Sequence, residues 1–162
     1  MFSLRHPIKE DGVGIHNLVK QCPPLDVNSR YCNLVQAHHF RDTSIVAERD
    51  GEMVGFITGH RVPDRARVLF VWQVAVSPAA RGEALGNTML DGLIGANPDI
   101  EYIETTVTPD NIASAKMFGR LADQYSAPIE KTVLFSRETH FEGLHEDEVL
   151  FRIGPLQQDQ PH

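Results

Sequence analysis

Residues 69–90 read LFVWQVAVSPAARGEALGNTML, and how that stretch divides decides the fold. Residues 69–76 are apolar or β-branched except for Gln73, the composition of a strand buried on both faces. Ser77-Pro78 ends the run. Small and charged residues follow through Ala84, and then Leu85, Met89, Leu90 and Leu93 recur at the spacing of one helix face, with Gly86 in the opening turn. A buried strand that passes through a small-residue loop into a helix N-terminus is suited to holding phosphate. The first-turn amides lack intrahelical acceptors, the macrodipole favours negative charge there, and small residues let the backbone come close. Arg81 adds a fixed positive charge to that loop.

Upstream, the pattern predicts a strand at residues 2–5 and a helix in which Val13, Ile15, Leu18 and Val19 share a buried side, with Asp11 as its cap. Cys22-Pro23-Pro24 stops that helix, and a second runs from about Tyr31 to Phe40. Its Tyr31, Leu34, Val35 and His38 stand at i, i+3, i+4 and i+7, a pattern that by itself predicts packing. Residues 44–48 and 53–61 read as two strands joined by Arg49-Asp50-Gly51-Glu52, where Asp-Gly is a strong hairpin signal. Downstream, strands are expected at 102–107, 132–135 and 148–153, and a helix over 112–121 behind Thr108-Pro109-Asp110-Asn111. The fold class is therefore α/β, with a central, mostly antiparallel mixed sheet, helices on both faces and a helical crossover after the fourth strand. Residues 1–156 are expected to form a single domain, and residues 157–162, QQDQPH, a polar tail without fixed structure.

Fifteen basic against 22 acidic residues in a chain of 162 give a net charge of −7, which argues against nucleic acid and against an anionic membrane surface as partners. A small cationic substrate suits that charge better. Cys22 and Cys32 have neither metal-ligand spacing nor the density of a disulfide scaffold, and His38-His39 has no partner at metal spacing, so no metal is expected. No apolar run is long enough to span a membrane, and the first residues lack a signal-peptide core. A cytoplasmic protein is the expectation.

Residues 74–86, VAVSPAARGEALG, resemble the acetyl-CoA pyrophosphate loop of the GNAT superfamily of N-acetyltransferases: Gln or Arg, two residues, Gly, one residue, then Gly or Ala. Arg81 and Gly86 match the ends; Ala84 replaces the middle glycine, at a cost of about 1 kcal/mol if the position needs positive φ. Asn111, with Ser114 three residues on and Phe118 seven on, resembles the helix that borders the pantetheine arm. In many relatives the last position is a tyrosine that protonates the departing thiolate, which Phe118 cannot do. Residues 23–31, 54–59, 70–76 and 145–148 together resemble the diaminobutyrate N-acetyltransferases of ectoine biosynthesis.

That resemblance implies a GNAT fold with acetyl-CoA as cosubstrate and L-2,4-diaminobutyrate as substrate, acetylated on its 4-amino group. It implies cofactor contacts from Val74, Ala75 and Val76 on the strand, from Arg81, Gly82, Glu83, Ala84, Leu85, Gly86 and Asn87 in the loop and first helical turn, and from Asn111 and Ser114. Asp26, Tyr31, Trp72, His145, Glu146 and Glu148 are the implied substrate contacts, with Trp72, His145 and Glu148 also catalytic. Transfer is expected to be direct, with a carboxylate or His145 taking the amine proton and strand amides near Val74 polarising the thioester carbonyl. Many relatives are dimers, which makes a homodimer the expectation here. The competing readings are a GNAT acetyltransferase for another small amine and, given Phe118, a non-catalytic acyl-CoA-binding module.

Overall fold

The computed structural model describes residues 1–157; the remainder of the polar tail, 158–162, lies outside the described residues. The elements in chain order are β1 (Ser3–Arg5), α1 (Gly12–Lys20), α2 (Arg30–His39), β2 (Ile45–Arg49), β3 (Glu52–Val62), β4 (Arg65–Val76), α3 (Leu85–Ala96), β5 (Tyr102–Val107), α4 (Ile112–Gln124), β6 (Ile129–Phe135) and β7 (Glu148–Ile153). Type and order follow the sequence pattern throughout. Two compact units are distinguished among the described residues: Met1–Arg61 with Val71–Pro98, and Val62–Phe70 with the described residues from Asp99 on, so that β4 contributes to both.

In the first unit the strand order is β1, β2, β3, β4. Asp50 and Gly51 both adopt positive φ (54° and 78°), the geometry that matches a two-residue turn to strand twist, and Arg49 pairs with Glu52 across it. Ile15, Leu18, Val19 and Cys22 of the α1 segment cluster with Ala37, Val46, Phe56 and Ala75. Gly55 lets α3 lie close on β3, since a Cβ there would stand 3.0 Å from Leu85 Cδ2 and 3.1 Å from Met89 Cε. Leu85, Met89, Leu90 and Leu93 are all buried, as their spacing requires.

Three expectations are corrected here. Val13 is 48% exposed, outside the buried stripe of α1. Asp11 does not cap α1; its carboxylate accepts the Ile8 amide at 2.8 Å and pairs with Arg5 at 2.7 Å, so it closes the short 3-10 turn that precedes the helix. Most important, β4 is not buried on both faces. Leu69, Val71, Gln73 and Ala75 are buried, whereas Phe70, Trp72, Val74 and Val76 alternate with them at intermediate or open positions. A continuous apolar run has an apolar outer face, but it does not say whether protein covers that face.

In the second unit the order is β4, β5, β7, β6. β7 lies antiparallel to both β5 and β6, with Ile153 opposite Ile103 on one side and Ile129 on the other. Glu104 of β5 is buried, and its carboxylate receives Arg65 at 2.8 Å and Arg152 at 2.6 Å. Burial alone would raise its pKa, but the two guanidinium hydrogen bonds outweigh burial and hold it below the ordinary carboxylate range. Arg152 also stacks over the Tyr102 ring at 3.9 Å.

Candidate active site

The segment between β4 and α3 begins with the Ser77 amide donating to the Val54 carbonyl at 2.8 Å, which fixes its departure from the sheet. A 3-10 turn over Pro78–Ala80 follows, with Ala80 fully buried as its anchor. Arg81 is extended, Gly82 has φ of 83°, and Ala84 is left-handed with φ 57° and ψ 28°. The alanine that departs from the superfamily pattern thus takes the conformation glycine adopts freely, and carries the corresponding strain of about 1 kcal/mol. Arg81, Gly82, Glu83 and Ala84 are all exposed. No described side chain caps α3; the Thr88 amide and hydroxyl both reach the Ala84 carbonyl, at 3.1 and 3.0 Å, and helix geometry leaves the earlier amides of that turn without intrahelical acceptors. Leu85 and Gly86 are buried behind this turn and Asn87 is half-buried.

One residue that the sequence reading missed shapes this loop. Arg49, at the end of β2, sends Nη1 to both Glu83 carboxylate oxygens, at 3.1 and 3.0 Å, and Nη2 to the Ala79 carbonyl at 3.0 Å. An arginine more than 30 residues upstream, beside a hairpin turn, has no local sequence signal for such a role.

Of the expected substrate residues in the first unit, Trp72 stands on the open face of β4, 44% exposed. His60 meets its ring edge-on, 6.2 Å between centroids at 86°, and His60 in turn tilts against Phe40 at 5.4 Å. Asp26 is exposed, and its carbonyl oxygen accepts Gln73 Nε2 at 2.9 Å. Gln73 therefore ties the Asp26 segment to β4 next to Trp72, a second link that the sequence did not announce. It is 8% exposed, and its Oε1 is buried with no partner among the described residues.

Tyr31 lies in the first turn of α2, which is capped by Ser29 through the Cys32 amide at 3.1 Å. It is 76% exposed, and with Leu34, Val35, His38, His39, Lys9 and Glu10 it lines an open pocket of about 450 Å³. The i, i+3, i+4, i+7 stripe is thus not the packed face of α2. That face is Asn33, Gln36 and Ala37, where Asn33 Nδ2 donates to Gln36 Oε1 at 3.0 Å and Asn33 Oδ1 lies 3.3 Å from His16 Nδ1. A polar network, with Gln36 Nε2 buried and unpartnered among the described residues, occupies the position where apolar periodicity would place a core.

The second unit holds the others. Asn111 is the N-cap of α4, its Oδ1 accepting the Ser114 amide at 3.2 Å, and Phe118 on the same helix is buried at 2%. Glu148 opens β7, and Thr106 Oγ1 on the adjacent β5 donates to its Oε2 at 3.2 Å. His145 is half-buried against Phe141, 4.5 Å between centroids, with Nδ1 2.7 Å from the Glu146 carbonyl. The Glu146 carboxylate is exposed and engaged by Arg137 at 2.8 Å. No cluster of three metal-ligating side chains occurs among the described residues.

With this geometry in view, similarity to known proteins can be placed on it. The profile of the acetyltransferase (GNAT) family matches residues 13–122. The L-2,4-diaminobutyric acid acetyltransferase of Methylotuvimicrobium alcaliphilum is 44% identical over 96% of this chain and 92% of that protein. That of Vibrio cholerae is 43% identical, over 94% and 89%. Among solved structures, the diaminobutyrate acetyltransferase EctA from Paenibacillus lautus, in complex with its substrate L-2,4-diaminobutyric acid and coenzyme A, is 39% identical and superposes with a TM-score of 0.92 over 99% of both chains.

Proposed function

The chain belongs to the acetyltransferase (GNAT) family and, within it, to the diaminobutyrate acetyltransferases, and from that premise we infer that it transfers the acetyl group of acetyl-CoA to the 4-amino group of L-2,4-diaminobutyrate. The observation that carries this reading is the match to EctA over 99% of both chains at a TM-score of 0.92. The β4–α3 segment supports the cosubstrate reading separately: an α3 N-terminus without a side-chain cap, behind a loop with two left-handed residues, suits a diphosphate. Bound there, acetyl-CoA supplies the acetyl group as a thioester.

In this reading the amides of residues 81–86 and the Arg81 side chain hold the pyrophosphate, with Asn87 completing the first turn. Val74, Ala75 and Val76 lie along the thioester arm, where a strand amide polarises its carbonyl. Asn111 and Ser114 border the same arm. Trp72 walls the amine site, and Asp26 or Glu148 pairs with the ammonium that is not acetylated, with Tyr31 and Glu146 as further proposed substrate contacts. His145 or Glu148 accepts the proton of the attacking amine, directly or through water. The Thr106 hydrogen bond supports this assignment by holding Glu148 in one orientation.

A homodimer is part of the same reading. It is supported by β6, an edge strand on which Val133, Leu134 and Phe135 are 54%, 40% and 43% exposed, the kind of edge a second chain covers. A cytoplasmic setting is supported by dependence on acetyl-CoA and by two cysteines that are not paired with each other; no described helix is long and apolar enough to cross a membrane. Release of coenzyme A thiol from acetyl-CoA, followed across diaminobutyrate, ornithine, putrescine and an aminoglycoside, tests the assignment. Turnover confined to diaminobutyrate, with the 4-acetyl product identified by NMR, is expected. Broad amine turnover would replace the substrate, and binding without turnover would remove the enzyme.

A further inference from the structure

A loop that holds a diphosphate gains nothing from a carboxylate of its own, yet Glu83 lies inside it, immediately before the left-handed Ala84 that opens α3. The first turn of α3 contains no acidic residue, so Glu83 is the one negative side chain between Arg81 and that turn. Left alone it would repel the ligand and weaken the field of the helix N-terminus. Arg49 answers it. Its Nη1 is shared between both Glu83 oxygens while Nη2 takes the Ala79 carbonyl, so a single guanidinium spans the loop from its 3-10 turn to its last residue before Ala84. The Arg49 side chain is 26% exposed and stands over the Phe2 ring at 5.0 Å. Its own place is set by the Asp50-Gly51 turn, which puts it opposite Glu52 at the end of the β2–β3 hairpin.

We propose that Arg49 is a positioning residue for coenzyme A binding: it neutralises Glu83 and braces both ends of the phosphate loop, so that the amides aimed at the diphosphate are preset and unopposed. The inference rests on the reading of residues 81–86 as the pyrophosphate loop. It goes beyond that reading by making an arginine outside the motif a condition of the motif's affinity. Lysine is a poor substitute, because one ammonium cannot keep the planar two-sided grip on a carboxylate and a carbonyl together.

The test is a double-mutant cycle read by calorimetric titration of coenzyme A into the full chain, with kcat and both KM values measured in parallel. R49A is expected to weaken coenzyme A by about fivefold to tenfold and R49K by about threefold, with KM for acetyl-CoA following and kcat at saturation and KM for diaminobutyrate holding. E83Q is expected to tighten binding about twofold, and R49A in the E83Q background to return to within about twofold of the parent, because the charge that Arg49 cancels is then gone. Wild-type affinity in R49A overturns the proposal. So does a double variant as weak as R49A, which would make Arg49 a brace alone. If the parent does not bind coenzyme A, or R81A binds it as the parent does, the loop reading itself fails, and that outcome is separate. Thermal unfolding of each variant shows whether an effect on binding comes through loss of the fold.

Discussion

Two strand–loop–helix turns, one leading out of β4 and one out of β5, share a plan and finish it differently. β5 passes through residues 108–110 to Asn111, whose side chain takes the Ser114 amide, so α4 is closed by its own chain. β4 passes through a longer loop to Ala84, which offers no side-chain acceptor and is held left-handed, so the start of α3 stays open. The strands differ in the same sense. β5 buries a charge, Glu104, and surrounds it with two arginines, whereas β4 buries a neutral amide, Gln73, and leaves its side-chain oxygen unmatched among the described residues. Polar groups satisfied from within serve the fold. Those left open cost stability, a cost that the ligand proposed for the start of α3 would offset there.

The largest effect that would break this contrast lies in β5. Glu104→Gln removes the charge from between Arg65 and Arg152 and is expected to cost about 2 kcal/mol, less than breaking a fully buried pair because both arginines reach solvent. The pH dependence has a definite sign. Glu104 has a folded-state pKa below its ordinary 4.5, so its stabilisation is fully present above that value and is lost as pH falls below 4.5 toward the folded-state pKa. Chemical denaturation of parent and variant at pH 7 and pH 3.5 should show the gap narrowing in acid; a gap that stays constant would mean that Glu104 does not ionise as described. Coenzyme A affinity should not follow the stability loss, since Glu104 serves the fold.

Next in size is Asn87→Asp, in the open turn of α3. A carboxylate there favours the helix dipole and is expected to raise stability by about 0.5 kcal/mol, while repelling diphosphate and raising KM for acetyl-CoA about tenfold. Opposite signs in thermal unfolding and in kinetics are the signature of an N-terminus kept for an anion. Equal KM values in parent and variant would mean that α3 is an ordinary helix start.

Asn111→Ala probes the closed turn. Loss of the cap is expected to cost about 1 kcal/mol and, because Asn111 is also proposed to border the thioester arm, to raise KM for acetyl-CoA about threefold. An unchanged KM would leave Asn111 a cap alone and remove it from the proposed cofactor site.

The sequence carried the element order because hydrophobic periodicity and turn chemistry act locally: Asp50-Gly51 announced its hairpin, and Leu85, Met89, Leu90 and Leu93 their buried face. It suggested a phosphate loop because small residues, Arg81 and a helix start are contiguous, and the structure supplies the strand, loop and helix start in that order. What it hid depends on which surface meets which. An apolar outer face on β4 reads the same whether protein or ligand covers it, and Tyr31, Leu34, Val35 and His38 have helical spacing whether they pack or line a pocket. Arg49 and Gln73 were invisible for another reason. Each acts on a segment 30 residues or more away, through one guanidinium or one amide, and only the fold brings the pair together.

Ala84 gives the smallest effect and the finest test of what the open turn costs. At φ 57° its Cβ crowds the backbone, and glycine removes that strain while adding freedom to the unfolded chain, so the two changes oppose each other. Ala84→Gly is expected to stabilise the protein by about 0.5 kcal/mol, a rise of about 2 °C in Tm for a chain of this length. KM for acetyl-CoA should stay within about twofold, because the residue offers the ligand an amide, which glycine also supplies. A destabilised variant would show that the left-handed alanine is not strained in this loop. A stabilised variant with weaker coenzyme A binding would show instead that the methyl group keeps the loop rigid, and that the strain at Ala84 is retained for affinity.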